Sequence, residues 1–351
     1  MRRRGSRTGV LLRAGRVTLL ALVGAGTTLA TLTAAPAAAQ GRTHAVIIVG
    51  LGGSEEYRES FHAEASKIYR ALVDRHGIPE EDVTYLGERV ETAPEMISAR
   101  STRAEVMATF GSIAQRAGPM DRLLVVMIGH GTSGGEEVQF NLPGPDLTPS
   151  DFLEGLGAFP TQTLALVHTG SASGGFVGPL SGPNRILVAA TRTERQLNAT
   201  EFGQYFAEAV AGADADLDKD ERVSLLEAFH YTRREVERHY QDENELLTET
   251  AVLDDNGDGT LSHDAGLAGP DGPLAATFHL GGVSGTAGQR PDDPVLARLY
   301  DERAEIQARI DEVRTLRESM DEERYLEALE PLLVELALKN REIRAAEGGG
   351  S

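Results

Sequence analysis

Leu123-Leu124-Val125-Val126-Met127-Ile128 runs straight into Gly129-His130-Gly131, and Thr163-Leu164-Ala165-Leu166-Val167 runs into His168-Thr169-Gly170-Ser171-Ala172-Ser173-Gly174-Gly175. A continuous apolar run closed by glycine reads as a strand buried on both faces, the pattern of a parallel sheet. In open α/β sheets, sites form where loops project past the carboxyl ends of such strands. A His and a Ser delivered there together have the chemistry of a general base (His130) and a nucleophile (Ser171), with the Gly131 N–H as an oxyanion donor.

The surrounding chain supplies the rest of such a domain. Thr43 to Gly50 reads as a first buried strand. Tyr57 to Arg75 follows as a helix, with Phe61, Ala65, Ile68, Leu72 and Val73 on one face and His76-Gly77-Ile78-Pro79 as its stop. Asp82 to Leu86 is a second strand. Thr102-Arg103-Ala104-Glu105 is a capping box opening a helix to about Ala117, and Thr148, Pro149 and Asp151 open a shorter one. Arg185 to Ala190 makes a fifth strand. Strands alternating with helices predict an α/β layered domain with a mostly parallel sheet.

His-Gly at one strand end, then a nucleophile-x-Ser-Gly turn at the next, resembles the legumain (peptidase family C13) branch of the caspase-like fold. Gly77-Ile78-Pro79 after the first long helix is similar to that family's opening. The resemblance covers roughly Thr43 to Ala211. It implies a caspase-like three-layer domain whose cleft takes a peptide or protein ligand, lined in part by Thr191 to Arg195. Arg58 matches the family's specificity arginine if a short insertion is allowed, and is otherwise a surface residue. The family's nucleophile is Cys, whereas Ser171 stands here and the chain has no cysteine. A thiol is partly ionised near neutrality; a Ser hydroxyl needs a base held within hydrogen-bond reach, usually oriented by a third group. No acidic residue announces itself as that group. The resemblance therefore implies a peptidase homologue with lost or weakened catalysis, a binding protein. The alternative is a working hydrolase using Ser171 and His130.

Asp216-Leu217-Asp218-Lys219-Asp220-Glu221-Arg222-Val223-Ser224-Leu225-Leu226-Glu227 has the register of an EF-hand calcium loop. Asp216, Asp218, Asp220, Ser224 and Glu227 fall at ligand positions, and Arg222 would contribute its carbonyl. Glu221 stands where glycine normally makes the sharp turn, at a cost if its φ is positive. A solvated acidic loop is the other reading. In the second acidic loop, Asp254, Asn256 and Asp258 precede Gly259, but Ala265 replaces the bidentate Glu. Weak calcium binding and a plain Asn-Gly/Asp-Gly turn both fit it.

Of 351 residues, 40% are hydrophobic and 25% charged, enough for a sizeable core. Arg2, Arg3, Arg4 and Arg7, an apolar run from Val17 and the close on Ala37-Ala38-Ala39 read as a secretory signal peptide, with an uncleaved anchor as the alternative. The expected location is secreted or periplasmic. Its six arginines leave 28 basic residues against 54 acidic ones, a balance of about −26, which disfavours nucleic acid and favours divalent cations. No later stretch is apolar and long enough to span a bilayer. The predicted organisation is signal peptide 1–39, caspase-like domain 40–211, EF-hand-like region 212–265, connecting structure 266–293 and a helical hairpin 294–347. In the last, Leu299, Ile306, Ile310, Val313 and Met320 face Leu329, Leu332, Leu336 and Ile343. Arg303 and Arg317 interrupt that seam and Pro331 is expected to kink or restart the second helix. The hairpin reads either as an arm for a partner or self-association, or as packing back on its own domain.

Overall fold

The computed structural model describes residues 41–134, 137–281, 294–315 and 321–348. The expected signal peptide, the later part of the connecting segment, and Arg317 and Met320 at the hairpin turn lie outside the described residues.

The frame is a seven-stranded sheet of β1 (Thr43–Val49), β2 (Val83–Gly87), β3 (Ile97–Arg100), β4 (Arg122–Ile128), β7 (Thr163–His168), β8 (Arg185–Ala189) and β9 (Val252–Asp254). Two short strands, β5 (Gly131–Thr132) and β6 (Gln139–Phe140), form a separate antiparallel pair. The order is β3-β2-β1-β4-β7-β8-β9, parallel except for β9, which runs antiparallel to β8. The chain builds outward from β1 in one direction and then from β4 in the other. The carboxyl ends of β1 and β4 thus flank the topological switch point.

The strand side chains divide between two cores. Ala45, Ile47, Leu124, Val126 and Ile128 pack with α1 (Glu55–Arg70), α5 (Phe202–Ala211) and α6 (Leu225–Asp242). Val46, Ile48, Leu123, Val125 and Met127 pack with α2 (Arg103–Arg116), α3 (Pro149–Leu156) and α4 (Gly174–Leu180). This period of two on a doubly covered sheet is what continuous apolar strands produce. The expected α/β fold with three layers and a mostly parallel sheet is the observed one.

Several local expectations are refined. α1 starts at Glu55, capped by Ser54, whose hydroxyl accepts from the Tyr57 N–H. Past Arg70 it widens into a π-helical turn, Ala71–Arg75, and ends where Gly77 takes φ +65°. At α2 the Thr102 side chain accepts from the Glu105 N–H, while a reciprocal capping box forms at Thr148 and Asp151. β9 comes from the acidic region and was not legible as a strand. Beyond it lies α7 (Pro273–Thr277). At the opposite, amino-terminal end of the sheet, buried His44 lies between Asp82 (3.0 Å) and Asp121 (3.2 Å).

The hairpin consists of α8 (Pro294–Thr315) and α9 (Glu322–Gly348). Ile306, Ile310, Leu332 and Leu336 form its seam, with Val313 and Leu329 against it. α9 passes through Pro331 without ending, so of the expected kink or restart the restart does not occur. Proline removes one backbone donor; here Pro331 and Glu327 are both exposed, and Leu332 keeps its place in the seam.

The start of α5 is held from a distance. Glu249, 2% exposed, accepts from the backbone N–H groups of Glu201 (2.7 Å) and Phe202 (3.2 Å) and from the Tyr240 hydroxyl. Burial pushes its carboxyl up from 4.5 to about 7. Between those values the native state binds the proton more tightly than the unfolded chain, so this group's contribution to stability falls as pH rises. Glu249→Gln keeps an acceptor but removes the titration. Its melting temperature relative to the parent should climb between pH 5 and pH 8; a difference that does not move with pH would refute this.

Candidate functional site

His130 and Ser171 do reach one region, at the carboxyl ends of β4 and β7, because the two loops are pressed together. A Cβ on Gly170 would stand 1.6 Å from the Gly129 carbonyl oxygen, and one on Gly131 would stand 2.3 Å from that of Ser171. Only glycine permits this approach. Ala172 takes a left-handed φ of +58°, a strained turn for a residue with a Cβ, and is fixed by its N–H donating to the Gln196 carbonyl.

The two side chains nevertheless do not form a dyad. Ser171, 3% exposed, has its Oγ accepting from the Gly131 N–H at 3.2 Å and donating to the Gly131 carbonyl at 3.3 Å. The expected oxyanion donor is thus spent on the expected nucleophile. The His130 ring is edge-on to Tyr57 (4.5 Å) and Phe61 (5.0 Å) and has no side-chain hydrogen-bond partner among the described residues. Desolvation lowers its pKa, leaving the ring neutral near pH 7. Among the described residues no carboxylate orients it. His168, at the end of β7, is a second neutral imidazole, pushed down to about 3 by complete burial between Phe140 and Phe176.

What His130 does face is a cavity of about 270 Å³ between α1, the β4 and β7 ends and the start of α5. Tyr57, Phe61 and His130 supply aromatic surface, and Glu56, Glu64 and Glu201 supply carboxylates. The sequence marks His130 and puts Phe61 on the core face, but no motif marks Tyr57, Glu56, Glu64 or Glu201. Their signal was present: Tyr57, Phe61 and Glu64 fall at i, i+4 and i+7, one stripe of α1. The segment expected to line the cleft is elsewhere. Thr191 is buried, its Oγ1 accepting from the Gly174 N–H and pairing with the Ser173 hydroxyl (both 3.0 Å), and residues 199–204 take its place at the cavity. Arg58 lies on the other side of α1, bonded to Glu55 and 3.9 Å from Glu88.

The first acidic loop gathers carboxylate oxygens of Asp216, Asp218 and Glu227 within 4.8 Å of one another. Glu221 has φ +71°, so the sixth position makes the left-handed turn without glycine. Asp220 is committed differently: its carboxylate accepts from the Arg222 backbone N–H (2.9 Å) and guanidinium (3.0 Å). Ser224 caps α6 in a reciprocal box with Glu227. Desolvation and, next, neighbouring aspartates raise the pKa of Asp216 and of Glu227. This donor set fits a hard divalent cation. In the second loop, Asp254 accepts from the N–H groups of Gly257 and Gly259, and Asn256 and Asp258 bond one another and the following backbone. That is the hydrogen bonding of a tight turn, and among the described residues it assembles no comparable carboxylate group.

α8 packs back onto the first loop. Arg303, 5% exposed, pairs with Glu221 at 3.2 Å and lies over the Tyr300 ring, and the Gln307 amide donates to the Asp220 carbonyl at 3.4 Å. The arginine expected to interrupt the hairpin seam is a docking contact.

Because the chain has no cysteine, Ser171→Cys provides a single thiol that reads the site directly. Iodoacetamide should modify it at least ~10-fold more slowly than a Met120→Cys thiol, whose parent residue is 73% exposed. Equal or faster reaction would mean that the position is open and its base engaged.

Neither a family model nor a curated protein matches the sequence. Among solved structures the chain is similar to the initiator caspase Dronc of Drosophila, at 11% identity and a TM-score of 0.37, over 68% of this chain and 86% of that one.

Proposed function

We propose that this chain is an exported, legumain-like relative of the caspase-fold peptidases whose cleft binds peptide without efficient cleavage. The observation that carries the reading is the closed Ser171–Gly131 contact beside a His130 ring that has no hydrogen-bond partner among the described residues. A serine nucleophile requires its proton to be taken by a positioned base. Here the hydroxyl hydrogen goes to a main-chain carbonyl and the imidazole is walled by two aromatic rings. The left-handed turn at Ala172 favours the second reading, a hydrolase using Ser171 and His130, since nucleophiles are often presented on such strained turns.

A quenched-peptide library incubated with the chain from Gln40 onward, with Ser171→Ala and His130→Ala in parallel, separates the two. No cleavage by folded parent protein is expected. Cleavage that both substitutions abolish would replace this reading with the hydrolase.

The first acidic loop is read as a calcium site that stabilises the protein, through Asp216, Asp218 and Glu227 with the Arg222 carbonyl. Calcium at 100 times its dissociation constant should add about 2.7 kcal/mol of stability. Asp218→Asn, at an exposed position, should remove most of that gain. Because the Asp216 and Glu227 pKa values are raised, calcium competes with protons there and should bind more tightly as pH rises above the ordinary carboxylate range. Melting curves in calcium and in chelator check both statements; identical curves would dismiss the site.

A further inference from the structure

The cavity beside His130 has a composition that the peptide-binding reading does not explain. Glu64 contributes one oxygen, Oε1, to the Ser60 hydroxyl at 3.1 Å. Its other oxygen has no partner among the described residues and lies over Gly203, where a Cβ would come within 2.2 Å of it. The bare α-carbon of α5 thus lets a carboxylate sit against the cavity wall. The Glu201 carboxylate has no hydrogen-bond or ion-pair partner there either, its backbone N–H being held by Glu249. Lys67, the basic residue acting on Glu64, is engaged with Glu208 at 3.9 Å. Two unpaired carboxylates therefore share a cavity with Tyr57, Phe61 and neutral His130, and Glu56 stands at its rim.

Unpaired carboxylates taken partly out of water are costly, and a cation of matching shape removes the cost. Aromatic faces select the same guest. The volume, about 270 Å³, falls below that of drug-sized pockets and suits a single side chain. A guanidinium fits both surfaces better than an ammonium, because it is planar, stacks on rings and offers a fork of donors to carboxylates.

We propose that this cavity binds the guanidinium of an arginine side chain in a peptide, with Glu64 and Glu201 accepting its N–H groups and Tyr57 and Phe61 walling its plane. The assignment rests on the reading of the cleft as a peptide site but not on whether Ser171 is active. Burial, with Glu201 nearby, holds the empty Glu64 carboxyl up at about 7. A bound cation displaces that proton. Glu56, Glu201, Lys67 and His130 are the other charged or titratable groups facing it, and protonation of His130 at low pH opposes the guest in the same direction.

The test is calorimetric titration of the chain from Gln40 with N-acetyl-arginine methylamide and its citrulline and lysine counterparts. The arginine compound should bind at least ~10-fold more tightly than citrulline, which has the same shape without the charge, and more tightly than lysine. Its affinity should rise about tenfold from pH 6 to pH 8, with proton release detectable by changing the buffer. Glu64→Gln and, separately, Glu201→Gln should each weaken binding, while Met120→Ala, at an exposed position outside the cavity, leaves it unchanged; melting curves establish that each variant is folded. Equal affinity for arginine and citrulline, or indifference to both glutamate substitutions, overturns the proposal. Preference for lysine overturns the guanidinium assignment. Cleavage after arginine in the peptide library would overturn the non-cleaving reading while leaving this one standing.

Discussion

The close approach of two loops, Gly129–Gly131 and Gly170–Ala172, is the constraint on which the candidate site depends. Parallel strands β4 and β7 bring the loops side by side, and two glycines, Gly131 and Gly170, let their backbones touch. That contact places Ser171 next to Gly131, satisfies its hydroxyl and leaves His130 facing α1. Serine in this place is not simply a weaker nucleophile. Its small, strongly hydrogen-bonding oxygen is held by the main chain, whereas a thiol is a much weaker partner for an amide N–H.

Much of the fold was legible because the strands are apolar on both faces. Val46 and Ala45, or Leu123 and Leu124, go to different cores, so an unbroken apolar run could only mean a doubly covered sheet. β9 was hidden because it is three residues long and sits against an acidic loop whose composition dominates any reading of that stretch. That α9 continues through Pro331 rather than restarting has another reason. Local propensity opposes a helix there, and the tertiary seam around Leu332 and Leu336 overrides it.

At the site, sequence reading found the residues that carry chemistry in an active enzyme and missed those that shape the space beside them. His130 and Ser171 were marked by short motifs. Glu64 and Glu201 lie far apart in sequence and carry no motif; they meet only because α1 and α5 cover the same face of the sheet. The acidic loop was the reverse case: register alone identified Asp216, Asp218 and Glu227. It gave no warning that Arg222, two residues beyond Asp220, would take that carboxylate for itself.

The antiparallel strand β9 also limits how the chain can be divided. It lies along β8, whose Ile186, Leu187 and Val188 are almost wholly buried. A piece of the protein ending with α5 would retain every residue of the His130 and Ser171 loops but would expose β8 as an uncovered apolar edge. Such edges template pairing between molecules. The acidic region therefore does for solubility what a charged edge strand does elsewhere, and the smallest well-behaved form of this fold must extend past Asp254.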